Sequence, residues 1–249
     1  MLSRTLAVLL LATAPALAQS PVPSNIRAAL ADPRRPADQV SRDALRKPGE
    51  VLAFAGIKPG DRVADLMPEG GYFTRLFSAA VGGKGRIYAY VPTEEIKNCD
   101  PSETAPGLAL AHDKAYDNIV VETGPINDFH APQSLDLVWT SQNYHDLYDP
   151  FMGPADLPKL DKAIFRALKH GGVFLVIDHA AADGSGVRDT NTLHRIDPAI
   201  IKRDLAAVGF RLEGESDVLR NPADTHSLRV FDPAIRGRTD QVVLKFVKP

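Results

Sequence analysis

The sequence predicts an α/β domain, a doubly wound sheet of seven mostly parallel strands. Short β-branched apolar runs alternate with stretches of helical periodicity, the pattern of strands joined by crossover helices. The run Val173-Phe-Leu-Val-Ile is apolar without interruption, as a strand buried on both faces should be. At 249 residues the chain suits one domain of this class. A 44% apolar composition with a net charge of −2 excludes general disorder, and 29 Lys and Arg against 31 Asp and Glu exclude a strongly basic nucleic-acid binder. The single cysteine, Cys99, excludes an intramolecular disulfide framework and a cysteine-based zinc cluster.

Taken in order, residues 1–18 have the layout of a secretory signal peptide: Arg4, an apolar stretch over 6–14, then Pro15 and Ala16-Leu17-Ala18 before a cut between Ala18 and Gln19. The apolar run is shorter than the ~20 residues a membrane span needs. The expected product is periplasmic or secreted and carries no membrane anchor. Residues 19–39, rich in Pro and Ala, are expected as an arm or short helix packed on the body, and 40–249 as the main domain. Pro48 opens a helix that ends near Gly56, and Pro59-Gly60-Asp61 makes a turn into a first strand at 62–67. A helix follows at 72–80, then strands at 85–91, 118–122 and 135–140. The amphipathic helix at 157–168 is expected to stop at Gly171-Gly172 in a left-handed turn. A fifth strand at 173–178, a helix at 198–208 stopped by Gly209, and strands at 210–214 and 241–247 complete the set, with 216–240 read as loop.

The first strand–turn–helix carries chemistry. In an open parallel sheet, ligands collect at strand C-terminal ends near the switch point. There Asp65-Leu-Met-Pro-Glu-Gly-Gly-Tyr-Phe-Thr74 offers a carboxylate suited to an ammonium group and glycines that let backbone approach a ligand. The same turn equally serves plain chain reversal, and it matches neither phosphate-cradling loops nor the three-glycine dinucleotide fingerprint.

The longer string Gly56-Ile-Lys-Pro-Gly-Asp-Arg-Val-Ala-Asp-Leu-Met-Pro-Glu-Gly-Gly-Tyr-Phe-Thr, continued by Ala80-Val-Gly-Gly-Lys-Gly-Arg-Ile-Tyr-Ala, resembles class I S-adenosylmethionine-dependent methyltransferases. It resembles in particular the branch with protein isoaspartyl and some tRNA adenine methyltransferases, and a group of exported, predicted methyltransferases of unassigned substrate. The similarity spans about 51–214, with Leu135-Asp-Leu-Val, Gly171-Gly-Val-Phe-Leu-Val-Ile-Asp and Ala207-Val-Gly-Phe at the later strands and turn. It implies a Rossmann-like methyltransferase sheet of order 3-2-1-4-5-7-6 with the last strand antiparallel, S-adenosylmethionine as cofactor, and methyl transfer to an unidentified acceptor. It places Asp65, Met67, Pro68, Gly70, Gly71, Phe73 and Thr74 around the methionine part. Asp128 and Phe129 fall beside the adenine, and Asn143 and Tyr144 toward the methyl group. Two departures stand out. Met67 and Glu69 occupy positions where the common motif has glycine, and the second strand ends Tyr90-Val91-Pro92 without the usual ribose-binding acid, Glu94 and Glu95 coming just after. They motivate the alternative of a non-catalytic ligand-binding protein on a degenerate methyltransferase fold.

His145 and Asp146, after the fourth strand, are candidates for a general base and its partner, and His179 at the end of the fifth is a third catalytic candidate. Each has a plainer role as a loop or capping residue. His145, His179 and His194 with neighbouring Asp residues also suggest a metal, but their separations match no compact ligand motif and none is expected. Trp139, Tyr144 and Tyr148 fit either an aromatic pocket wall or core packing.

Overall fold

A computed structural model of the chain describes residues 22–131, 134–153 and 155–249. The expected signal peptide and its cut site lie outside these residues.

The order along the chain is α1 (Ser24–Leu30), α2 (Ala37–Val40), α3 (Asp43–Arg46), α4 (Pro48–Ala55), β1 (Arg62–Leu66), α5 (Tyr72–Val81) and β2 (Arg86–Pro92). Next come α6 (Thr93–Asn98), α7 (Pro101–Ala109), β3 (Ile119–Gly124), β4 (Leu135–Ser141), α8 (Leu157–Ala167) and β5 (Leu168–His179). The chain closes with α9 (Thr190–Leu193), α10 (Pro198–Ala207), β6 (Arg211–Ser216) and β7 (Gln241–Val247). The sheet order is β3-β2-β1-β4-β5-β7-β6. The first five strands run parallel, while β7 pairs antiparallel with both β5 and β6. The strand order reverses between β1 and β4, which opens a crevice at their C-terminal ends.

Apolar residues cover the sheet on both faces, as a parallel sheet requires. One layer joins α8 and α10 to the sheet through Leu160, Ile164, Ile201 and Leu205, against Phe174 and Val176. The other joins α1, α4 and α5 through Ile26, Leu52, Leu76 and Phe77, against Trp139 and Leu175. Neighbouring β5 residues thus point into opposite layers, which explains its unbroken apolar run. In the described part of the arm expected at 19–39, α1 and the start of α2 are joined by a turn at 31–36, and Ile26 and Ala29 of α1 are core residues.

Gly171 and Gly172 depart from expectation. α8 ends at Leu168 in extended conformation, and β5 begins there at once. The two glycines sit inside β5, where the β4 register shifts from Leu135↔Leu168 to Leu137↔Val173. They form an irregularity in the strand, not a helix cap. A Cβ on Gly172 would stand 2.9 Å from the Lys169 carbonyl, so strand packing demands glycine there.

Candidate functional site

The β1–α5 turn keeps a glycine-like shape without all the glycines. Met67, Glu69 and Gly71 have φ of 59°, 47° and 71°, all left-handed. The resemblance puts glycine at the positions of Met67 and Glu69. Here L-residues adopt the same conformation at a cost of ~1–2 kcal/mol each. Gln142, just past β4, and His194 are left-handed as well, at 68° and 53°. Backbone strain gathers at this edge of the sheet, the pattern found around ligand sites.

Surrounding contacts hold the turn. Asn143 Nδ2 donates to the Met67 carbonyl at 2.7 Å, and Gln39 Nε2 to the Gly70 carbonyl at 2.8 Å. A Cβ on Gly107 of α7 would meet the Glu69 carbonyl at 2.4 Å, so α7 rests directly on the turn. The short helices α2 and α3 cross above it. Asp43 anchors them, accepting from Arg35 at 2.6 and 2.8 Å and from the Tyr72 hydroxyl at 2.6 Å. Arg46 then lies over the rings of Tyr72 and Phe73 and donates to Gln142 at 3.0 Å.

Arg42, Arg46, Asp65, Met67, Pro68, Glu69, Gly70, Tyr72, Phe73 and Ser141 enclose a hollow of about 20 Å³, room for about one water. Its chemistry is ionic. Asp65 is buried and accepts from the Thr74 hydroxyl at 2.6 Å. Burial, helped by the nearby Glu69 charge, lifts its pKa to about 7 against the pull of Thr74 and Arg46. Glu69 retains solvent-accessible surface yet is raised too, by desolvation in the concave site, with Arg46 opposing. Burial lowers Arg46 to about 10, Arg42 adding its repulsion while Glu69, Tyr72 and Asp65 favour its charge.

Of the two acids that follow the second strand, Glu95 is the one that turns back toward the crevice. α6 begins directly after β2, so Glu95 falls one helical turn beyond the strand end and is 9% exposed. Burial and the charges of Asp146 and Glu69 raise its pKa to about 8. Glu94 is committed elsewhere, its carboxylate accepting from the Ile126 N–H at 3.0 Å.

The other expected site residues divide. Met67, Pro68, Gly70, Phe73 and Asp65 line the hollow, Gly71 caps α5 beside it, and Thr74 orients Asp65. Phe73 also packs on Trp139, ring centroids 4.7 Å apart. Asp128 is exposed and pairs with Lys159 at 2.9 Å, while Phe129 is buried edge-on to Tyr90. Tyr144 is fully buried and its hydroxyl donates to Asp161 at 3.1 Å, so its side chain is spent in the core instead of facing a methyl group. Trp139 is likewise core, and the Tyr148 hydroxyl donates to Asp204. None of these three rings walls the hollow.

His145 and Asp146 lie together after β4, with His194 against them and Asp178 behind. Burial opposes a charge on His145, but Asp178 and Asp146 outweigh it and hold its pKa well above the usual value. An imidazole that keeps its proton so firmly is a poor general base. His179 stands apart. Its Nδ1 is 2.7 Å from the Thr239 hydroxyl, and burial beside His145 drives its pKa well down, so it stays neutral.

No family model matches the chain, and no curated protein matches it in sequence. Solved structures match it in fold. An S-adenosylmethionine-dependent methyltransferase from Aquifex aeolicus superposes with a TM-score of 0.58 at 19% identity, over 90% of this chain and 97% of that one. One from Mesorhizobium loti gives 0.56 at 17%, over 83% and 99%. The [4+2]-cyclase SpnF gives 0.59 at 15%, over 90% and 91%. With the β3-β2-β1-β4-β5-β7-β6 order, these likenesses show that the chain has the Rossmann-like fold of class I S-adenosylmethionine-dependent methyltransferases.

Proposed function

We propose that the protein is an S-adenosylmethionine-dependent methyltransferase whose cofactor enters the crevice above the β1–α5 turn. The observation that carries this reading is the left-handed Met67–Gly71 turn, set beside buried Asp65 at the switch point of this fold. Solved neighbours named as S-adenosylmethionine-dependent methyltransferases support it.

The donor set fits the ligand's charges. Asp65 and Glu69 suit the ammonium, Arg46 and Arg42 the carboxylate, and Glu95 the ribose hydroxyls. When bound, the cofactor supplies a methyl group already activated on a sulfonium, so transfer needs in-line placement more than covalent help. The chain's part is positional. Thr74 fixes the Asp65 carboxylate, Asn143 and Gln39 fix the turn, and Asp43 holds the arginine-bearing segment in place. The acceptor then approaches past Asp146 and His194 at the β4–β5 edge. Among the described residues no helix is long and apolar enough to cross a membrane. The reading includes export with removal of residues 1–18, which the mass of the chain recovered from the producing cell's periplasm or medium tests.

The volume of the hollow favours a second reading, a binding protein on an altered methyltransferase fold. About 20 Å³ admits no nucleoside until Arg42, Arg46 and Glu69 swing aside. The fold of the cyclase SpnF also warns that architecture alone does not decide chemistry. Calorimetric titration with S-adenosylmethionine and S-adenosylhomocysteine tests the pocket. Gly70→Leu is the control, since a Cβ at Gly70 meets nothing within 4 Å and its φ is unstrained. The expected result is binding by wild type and none by a folded Gly70→Leu. No heat from wild type at millimolar ligand rejects the cofactor, and binding without methyl transfer to any acceptor favours the second reading.

A further inference from the structure

Behind His145, fully buried Asp178 accepts three hydrogen bonds. Its Oδ2 takes the His145 backbone N–H at 2.8 Å, and its Oδ1 takes His145 Nδ1 and the His179 N–H, each at 2.7 Å. Asp178 thus holds one ring proton of His145 on Nδ1, and the second, on Nε2 toward Asp146, is the one that a metal ion would displace to take the Nε2 lone pair. In front of it stand two more potential ligand atoms. Asp146 Oδ1 is 3.1 Å from His145 Nε2, His194 Nδ1 is 3.3 Å from it, and those two are 3.7 Å from each other. With the Nε2 proton of His145 and the Nδ1 proton of His194 removed, these three atoms form a donor set for one cation.

We propose that His145 Nε2, Asp146 Oδ1 and His194 Nδ1 bind a first-row divalent transition-metal ion of the Zn²⁺ class. Ligand atoms about 2.1 Å from such an ion stand roughly 3.0 Å apart at right angles and roughly 3.4 Å at the tetrahedral angle, close to the triangle found here. Two imidazoles and one carboxylate suit zinc and its neighbours better than magnesium or calcium, which prefer all-oxygen cages. Asp178 supplies the carboxylate behind a ligating histidine that orients the ring and fixes its tautomer.

A further observation points to a missing positive charge. Both carboxylate oxygens of Asp149 are buried without a hydrogen-bond partner, within electrostatic range of Asp146, His145 and His194. Thr190, the neighbour that most favours the charged form of Asp149, spends its hydroxyl on the Val187 carbonyl. Three protein ligands leave positions open for a substrate oxygen, and Asp146 lies within electrostatic range of Glu95 and Glu69 in the crevice. The sequence already offers His145 and His194 with a neighbouring Asp, but a separation of 49 residues matches no compact ligand motif, so no metal is expected there from sequence.

The competing occupant is a proton shared among the same atoms. Arg229 sharpens the distinction. Its Nη2 lies 3.1 Å from His194 Nε2, and since a guanidinium only donates, that contact puts the His194 proton on Nδ1. Metal binding must move this proton to Nε2 and break the contact with Arg229, an exposed residue that also lies over the Phe231 ring.

Untagged full-length protein, stripped with chelator, is titrated with Zn²⁺ by calorimetry and with Co²⁺ by visible absorption. One ion per chain is expected, with Co²⁺ bands of a four- or five-coordinate site. His194→Ala and Asp146→Ala should each weaken binding at least ~10-fold, with unchanged circular dichroism. Arg229→Ala should tighten it several-fold, an effect that a purely structural histidine cluster does not give. No uptake of either ion assigns the cluster to a shared proton and overturns the proposal. Binding that survives both ligand substitutions places the ion on another histidine and overturns it as well. These readouts need no cofactor, so they stand or fall separately from the methyltransferase reading.

Discussion

The hydroxyl of Thr74, in the first turn of α5, donates to Asp65 Oδ2 at 2.6 Å and so ties the end of β1 to the helix that follows it. The bond fixes where the carboxylate stands, but it does not keep it charged. Burial lifts Asp65 from 3.8 to about 7. An ammonium ligand needs the ionised form, so below about pH 7 binding must expel a proton. Affinity for S-adenosylmethionine should therefore fall up to tenfold per pH unit as pH drops below ~7. Calorimetry in buffers of different ionisation enthalpy should show proton release at about pH 6. Asp65→Asn should bind weakly with the Asp65 step missing from the profile, and a wild-type affinity independent of pH would remove Asp65 from the ligand's path.

Glu69 is held at φ 47° where glycine would sit without strain. Replacing it with glycine relieves ~1–2 kcal/mol of left-handed strain but gives the unfolded chain ~0.4–1 kcal/mol of extra freedom. Glu69→Gly should thus match wild type or gain up to about 1.6 kcal/mol in stability while widening the hollow. Gly107→Ala should behave oppositely. Its Cβ would press on the backbone carbonyl of Glu69 at 2.4 Å, and overpacking of this kind costs ~1–3 kcal/mol. Urea denaturation of both variants checks the pair, and a Gly107→Ala protein as stable as wild type would show that α7 does not brace the turn.

The contrast between Asp65 and Glu95 explains what the sequence could disclose. Asp65, the turn and Thr74 lie within ten consecutive residues, so their juxtaposition is dictated by local geometry and was legible. So was β5, whose apolar run reports burial on two faces directly. Glu95 enters the crevice only because α6 starts without a connecting loop after Pro92, and Arg46 only because Asp43 docks on Tyr72 from the other side of the turn. Glu95 depends on a loop-free helix start that the sequence left open, and Arg46 on a contact between distant segments. Tyr144 misled for the same reason. It follows β4 as a ligand-facing residue would, but Asp161 of α8 draws its hydroxyl inward. Gly171 and Gly172 looked like a helix stop because left-handed glycine serves caps and strand irregularities alike.

Asp161 should make the protein less stable as pH rises. It is 1% exposed, one carboxylate oxygen has no hydrogen-bond partner, and burial raises its pKa from 3.8 to about 7 despite the Tyr144 bond. The sign follows from proton counting. Between about pH 4 and 7 the unfolded chain has lost this proton and the folded one keeps it, so stability falls across that window and levels off above ~7. The whole step is at most about 4 kcal/mol, from ~1.4 kcal/mol per pKa unit. Asp161→Asn keeps an acceptor for Tyr144 and carries no charge, so the variant should gain on wild type steadily from about pH 4 to 7. Denaturation midpoints of both proteins across this range measure the gain, and parallel curves would assign the pH dependence to other buried acids such as Glu95.

Arg195 should prove the keystone of the loop-rich segment at 216–240. It is fully buried, and its guanidinium donates to the Ala180 carbonyl at 2.9 Å, the Leu228 carbonyl at 3.0 Å and Asp224 at 2.9–3.1 Å. Asp224, also buried, accepts the backbone N–H groups of His226 and Asp240 at 3.0 and 2.7 Å. One ion pair thus gathers the end of β5, the loop and the entry to β7. Removing the cation strands the carboxylate and two carbonyls, so Arg195→Ala should cost ~3–5 kcal/mol. Arg195→Lys should recover only part of this, because an ammonium cannot reproduce the planar fork that reaches three partners. Removing both charges relieves the stranded partner, so Arg195→Met combined with Asp224→Leu should lose less than the two single losses added together. Hydrogen exchange gives the local test. Protection in 216–240 should drop in Arg195→Ala before that of β4 and β5, and a uniform loss across the sheet would show instead that the pair supports the whole fold.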